Sequence, residues 1–162
     1  DVDGVLTDGS LSYGPEGQLS KRFNVRDGLG IRLLQNVGIE VAFLSGGRGG
    51  ATEARAQHLG IRHCLVGATD KPQALTQLCQ RVGVAPEQIV YVGDDLNDLA
   101  LRGRVGLLIA TADAVEPLRR RADAVLHRKG GNGAVRELAE RLLQSRGEWE
   151  QLCRQGWRDR ND

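Results

Sequence analysis

The sequence predicts a doubly wound α/β fold, a parallel sheet with helices on both faces. Short apolar runs recur between longer stretches of helical periodicity, the pattern of buried parallel strands joined by crossover helices. Glycines stand where helix gives way to strand. At 162 residues the chain has the length of one domain with a sizeable core.

The elements follow in order. Residues 10–13 and 18–23 alternate on either side of Gly14-Pro15-Glu16-Gly17, which reads as a β-hairpin. Leu29, Ile31, Leu33, Leu34 and Val37 then fall at helical spacing, and Gly38 closes that helix. Strands are expected at 39–44, 61–66, 88–92, 105–109 and 124–126. Helices are expected at 51–59, 71–82, 96–101, 114–121 and 134–143. Residues 1–145 form the expected domain. Residues 146–162 form a C-terminal tail whose Arg154, Arg158 and Arg160 suit a frayed or subunit-docking terminus.

Composition excludes several classes. A net charge of +1 gives no basic field for nucleic acid. Cys64, Cys79 and Cys153 are widely spaced and form neither a disulfide frame nor a zinc pattern. No apolar run reaches membrane-spanning length and no signal peptide is visible, so a cytoplasmic protein is expected. The sequence has no methionine and opens on Asp1, so we expect an upstream apolar strand that delivers Asp1 to the sheet's edge.

The chemistry is concentrated at strand ends, where open α/β sheets bind ligands. Asp1-Val2-Asp3-Gly4 places two carboxylates one residue apart, followed at once by glycine, a pattern foreign to a strand interior. Ser45-Gly46-Gly47 follows the strand at 39–44, Lys71 opens a later helix, and residues 93–98 bring Asp94, Asp95 and Asp98. Each has a plain structural reading: a turn, a helix cap or a solvated lysine. Their order suits phosphoryl transfer, which needs a nucleophile, a cation and fixed donors on the phosphoryl oxygens. Asp1 and Asp94, with a backbone carbonyl near Asp3, form a hard oxygen site suited to Mg2+. The Ser45 hydroxyl and Lys71 ammonium can hold phosphoryl oxygens beside Gly46, while Asp98 can orient Lys71 or a metal-bound water, with Asp95 in a supporting place.

This ordered set, Asp1, Asp3, Ser45, Lys71, Asp94 and Asp98, resembles the four motifs of the haloacid dehalogenase (HAD) phosphatases. Segments 1–9, 23–30, 55–61, 93–98 and 130–137 extend the likeness to about residue 143, and they resemble the capless branch that acts on sugar-acid phosphates. The resemblance implies a Rossmann-like HAD fold with Asp1 as nucleophile, forming an aspartyl-phosphate, and Asp3 as acid and base. It implies Asp1, Asp3 and Asp94 at the metal, and a homotetramer whose neighbouring subunit covers the site. Eight-carbon 2-keto-3-deoxy sugar acids lead as substrates, with nine-carbon acids as the alternative. Arg48 and Arg55 are candidates for the acid's carboxylate, because the guanidinium fork matches that anion.

One departure stands out. Members of the family often carry Thr-Gly-Arg where this chain has Ser45-Gly46-Gly47, the arginine being displaced to Arg48. Two rivals differ in kind. A phosphorelay receiver uses the same residue types but places its lysine after the acidic residues, whereas Lys71 precedes Asp94 and Asp95. A non-catalytic tetramerisation domain would be free to lose Asp1, Asp3, Lys71 and Asp94, which this chain keeps.

Overall fold

The computed structural model describes residues 1–158, so Arg160 lies outside the described residues. Strands β1 (Ser12–Tyr13) and β2 (Leu19–Ser20) pair antiparallel, with Ser12 opposite Ser20 and Tyr13 opposite Leu19. Then come α1 (Val25–Asn36), β3 (Ala42–Leu44), α2 (Ala51–His58), β4 (His63–Leu65) and α3 (Lys71–Val82). The second half holds β5 (Val90–Gly93), a 3₁₀ turn at Leu96–Leu101, β6 (Leu107–Ala110), α4 (Glu116–Arg119), β7 (Ala124–Val125), α5 (Ala134–Ser145) and α6 (Trp149–Gln155).

The strands form two parallel ladders, β3–β4 and β5–β6–β7. The opening segment joins them. The Asp1 backbone nitrogen donates to the Val92 carbonyl at 2.8 Å, while Val2 packs in one cluster with Phe43. Alternation along the strands then sets two faces. Leu44, Tyr91, Leu108 and Ala110 face α3 and α4 through Leu75, Cys79 and Leu118. Phe43 faces α1 and α2 through Ile31 and Ala56, and Ile109 faces α5 through Ala134. The expected doubly wound α/β architecture is what the chain adopts.

Several elements are shorter than their apolar runs. The strand expected at 39–44 pairs only from Ala42, because the Ile39 N–H turns back to the Leu34 carbonyl (3.0 Å) and closes α1. The Ile61 N–H does the same to Ala56 (2.9 Å), so β4 begins at His63. The helix expected at 114–121 narrows to α4, since the Val115 N–H is drawn to the Asp94 carbonyl at 2.8 Å.

Helices α1 and α5 meet closely, and the sequence explains how. A Cβ on Gly30 would lie 2.9 Å from the Arg136 Cα, so only glycine permits this approach. The buried Asp27 carboxylate accepts from the backbone N–H groups of Gly133 (3.1 Å) and Arg136 (2.9 Å) and so caps α5 from another helix. Beyond residue 145, α6 packs back on this pair through Trp149 and Leu152, against Leu33 and Leu143.

Candidate active site

The carboxyl ends of the strands converge on an open cleft of about 560 Å³ whose walls include Asp1, Asp3, Gly4, Ser45, Gly46, Gly47, Asp94, Asp95 and Asn97. A larger groove of about 770 Å³ runs along α5, lined by Arg26, Arg136 and Arg141, and holds none of these residues.

Below the cleft lies a buried charge network. Asp70 caps α3 by accepting from the Gln73 N–H at 2.9 Å, and this places Lys71 at the first helical position, pointing inward. The Lys71 ammonium is 3.1 Å from Asp1 Oδ2, 2.5 Å from Asp98 Oδ1 and 3.1 Å from the Tyr91 hydroxyl. Tyr91 also donates to Asp98 Oδ1 at 2.7 Å. The other Asp98 oxygen accepts from the N–H groups of Asp94 (2.9 Å) and Asp95 (3.2 Å), which shapes the turn that presents Asp94. Burial opposes charge on Asp98, but the charge and hydrogen bond of Lys71 and the hydrogen bond from Tyr91 hold its carboxyl below the usual range. Burial, reinforced by Asp98, keeps the Tyr91 hydroxyl protonated well past its ordinary value.

Asp94 differs. Burial first, then the neighbouring Asp98 and Asp95 carboxylates, push it up to about 6. Gly4 leaves its carboxylate room: a Cβ there would meet Asp94 Oδ2, and the Gly4 φ of 79° is one that side chains avoid. Asp1, Asp94 and Asp98 bring carboxylate oxygens within 4.8 Å of one another. Asp98 is fully buried and does not line the cleft, whereas Asp1 and Asp94 do, so these two are the pair placed to meet a hard cation. Mutual repulsion between crowded carboxylates is what such a cation relieves.

Ser45 is buried at the end of β3, its N–H bonded to Leu65 O (2.8 Å) and its hydroxyl accepting from the Gly47 N–H (3.1 Å). Asp3 is held by Lys21, whose ammonium is 2.7 Å from Oδ1 and 2.8 Å from Oδ2. The two arginines lie elsewhere. Arg48 is exposed on the glycine-rich loop. Arg55 stacks over the Phe23 ring (5.7 Å) and donates to Asn24 O (3.4 Å), packed against Gly28 outside the cleft's lining. Sequence reasoning brought Asp1, Asp3, Ser45, Lys71, Asp94 and Asp98 together but missed Lys21 and Tyr91. Tyr91 had a usable signal, a lone aromatic hydroxyl in an apolar strand.

The haloacid dehalogenase-like hydrolase family model matches residues 24–106. The chain is a haloacid dehalogenase-like hydrolase. Its similarity extends well beyond that segment. It is 46% identical over 147 residues to the 3-deoxy-D-manno-octulosonate 8-phosphate phosphatase KdsC of Salmonella typhi, covering 91% of this chain and 78% of that one. Among solved structures, the corresponding phosphatase of Yersinia pestis superposes with a TM-score of 0.89 at 43% identity, over 91% of this chain and 80% of that one. The Moraxella catarrhalis enzyme, in complex with magnesium, phosphate and 3-deoxy-D-manno-octulosonate, gives a TM-score of 0.91 at 35% identity, over 96% of this chain and 89% of that one.

Proposed function

We propose that this hydrolase removes the phosphate from 3-deoxy-D-manno-octulosonate 8-phosphate in a magnesium-dependent reaction. The observation that carries the chemistry is the buried Lys71 ammonium bridging Asp1 and Asp98 beneath an open cleft. The substrate follows from the 46% identity to KdsC over 91% of the chain.

Asp1 is the nucleophile. One Asp1 carboxylate oxygen attacks phosphorus, the bond to the sugar's oxygen breaks, and Asp3 gives that oxygen a proton. Asp3 then takes a proton from water, which attacks the aspartyl-phosphate; inorganic phosphate leaves and Asp1 is restored. Lys71 and the Ser45 hydroxyl, beside the Gly46 backbone, hold the non-bridging oxygens throughout. Asp1 and Asp94, with the Asp3 backbone carbonyl, would hold magnesium, which when bound would neutralise charge so that a carboxylate can approach a phosphate. Asp95 and Asp98 keep the turn and the lysine in place.

Gly47, where the family often has arginine, favours one second reading, a nine-carbon 2-keto-3-deoxy sugar-acid 9-phosphate. In either case Arg48 or Arg55 meets the acid's carboxylate once a substrate or neighbouring subunit reshapes the cleft. The working form is a cytoplasmic homotetramer, because the cleft is open and the adjoining hairpin exposes Leu11 and Tyr13. Phosphate release from the eight-carbon and nine-carbon phosphates, assayed side by side with magnesium and with chelator, tests the reading. Magnesium-dependent turnover highest on the eight-carbon ester is the expected result. Preference for a nine-carbon ester replaces the substrate, and no turnover on any ester rejects the activity.

A further inference from the structure

We propose that Lys21 is a positioning residue that sets where the Asp3 carboxylate sits, and that the hairpin thereby acts on the reaction. The proposal rests on the assignment of Asp3 as proton donor and acceptor. Lys21 lies one residue beyond β2, on the return limb of a hairpin most of whose residues are exposed. Its neighbour Arg22 points to solvent, with a side chain 84% exposed that pairs with Asp8 at the surface. The Lys21 side chain is only 1% exposed. A buried ammonium needs strong partners, since an unpaired one is expelled or neutralised. Its partners are both Asp3 oxygens, at 2.7 and 2.8 Å, and the Thr52 hydroxyl, at 3.2 Å in the first turn of α2.

Three segments therefore meet at one ion pair: the hairpin supplies Lys21, α2 accepts from that ammonium through Thr52, and the loop after β3 passes close by at Gly47. A Cβ on Gly47 would lie 2.7 Å from Asp3 Oδ2 and 3.4 Å from the Lys21 ammonium. Glycine at that position thus leaves room for the pair. Lys21 does not line the cleft and so has no direct path to a substrate. What it controls is the orientation of the group that must reach the leaving oxygen, and orientation is a large part of acid–base catalysis.

The test compares Lys21→Met, Asp3→Asn and the double variant on an alkyl sugar phosphate and on nitrophenyl phosphate, whose leaving group needs little protonation. Lys21→Met is expected to lower kcat on the alkyl ester by about 10- to 100-fold, with KM within about threefold and a much smaller loss on the aryl ester. The double variant is expected to be no slower than Asp3→Asn alone, since both changes disable one group. Equal losses on both esters, multiplying losses in the double variant, or wild-type turnover by Lys21→Met would each overturn the proposal. Full alkyl-ester turnover by Asp3→Asn would overturn the Asp3 assignment itself, and the proposal with it. If thermal melting shows that Lys21→Met does not fold, Thr52→Val must give the same leaving-group-dependent loss at a few-fold level, and parity with wild type overturns the idea.

Discussion

Lys71 makes contacts that a solvated lysine has no use for: two carboxylates and a phenol around an ammonium whose side chain is 2% exposed. Replacing it by methionine keeps the bulk and removes the charge. Asp98 would then be a buried carboxylate without its cation, and breaking a buried pair from one side typically costs about 3–5 kcal/mol. Turnover should fall by about 10²–10³-fold, the usual loss of one preorganised donor on a phosphoryl or oxyanion group. Melting curves and kcat on the same preparation measure both. Asp94 predicts a pH effect. A carboxyl raised to about 6 keeps its proton to higher pH than in the unfolded chain, near 3.9. Metal-free stability therefore falls as pH rises through that window, and protons compete with magnesium below about 6. Magnesium titrations by calorimetry should show affinity climbing steeply from pH 5 to 7; a flat profile would exclude Asp94 as a ligand.

At the scale of the element, α1 and α5 are joined by a side chain acting as a cap. Asp27 satisfies N–H groups at the start of α5 that no residue of that helix can reach. Asp27→Ala should destabilise the fold by about 1–3 kcal/mol, the cost of leaving buried donors unpaired. It should do so with little change in KM, because Asp27 is not among the residues lining the cleft; denaturant unfolding beside steady-state kinetics checks this. Local signals made some elements readable to the residue. Helix α3 runs from Lys71 to Val82 as the sequence predicts, because Asp70 caps it, Pro72 sits in its first turn and Gly83 ends it left-handed. Signals that depend on distant contacts were not readable. The helix expected from residue 114 starts late because Val115 bonds to Asp94, 21 positions away. Lys21 and Arg22 are adjacent basic residues in one strand-like run, and nothing local says that one is buried and the other exposed. The acidic residues of the site were legible because their chemistry demands an order along the chain. Lys21 was not, because holding Asp3 imposes no such order.

For the whole molecule, the two ladders end on the same edge and leave a cleft open to water, a poor setting for an aspartyl-phosphate that must meet one water at a time. The hairpin stands beside that cleft. It is anchored through Lys21 at its base and carries Leu11 and Tyr13 at 47% and 70% exposure. Exposed apolar side chains on a short two-stranded ribbon gain little from their own fold, and a second subunit is the natural surface to cover them. Leu11→Ser with Tyr13→Ser should therefore leave the melting of the isolated subunit nearly unchanged, since neither side chain is in a core cluster. If the hairpin joins the subunits of the proposed tetramer, the same double variant should shift the mass in light scattering toward smaller species. It should also raise KM more than it lowers kcat, because the covering surface is lost while Asp1, Lys71 and Asp94 keep their places. An unchanged mass would show that the hairpin is not the contact between subunits. An unchanged KM in a dissociated protein would show that the cleft works uncovered.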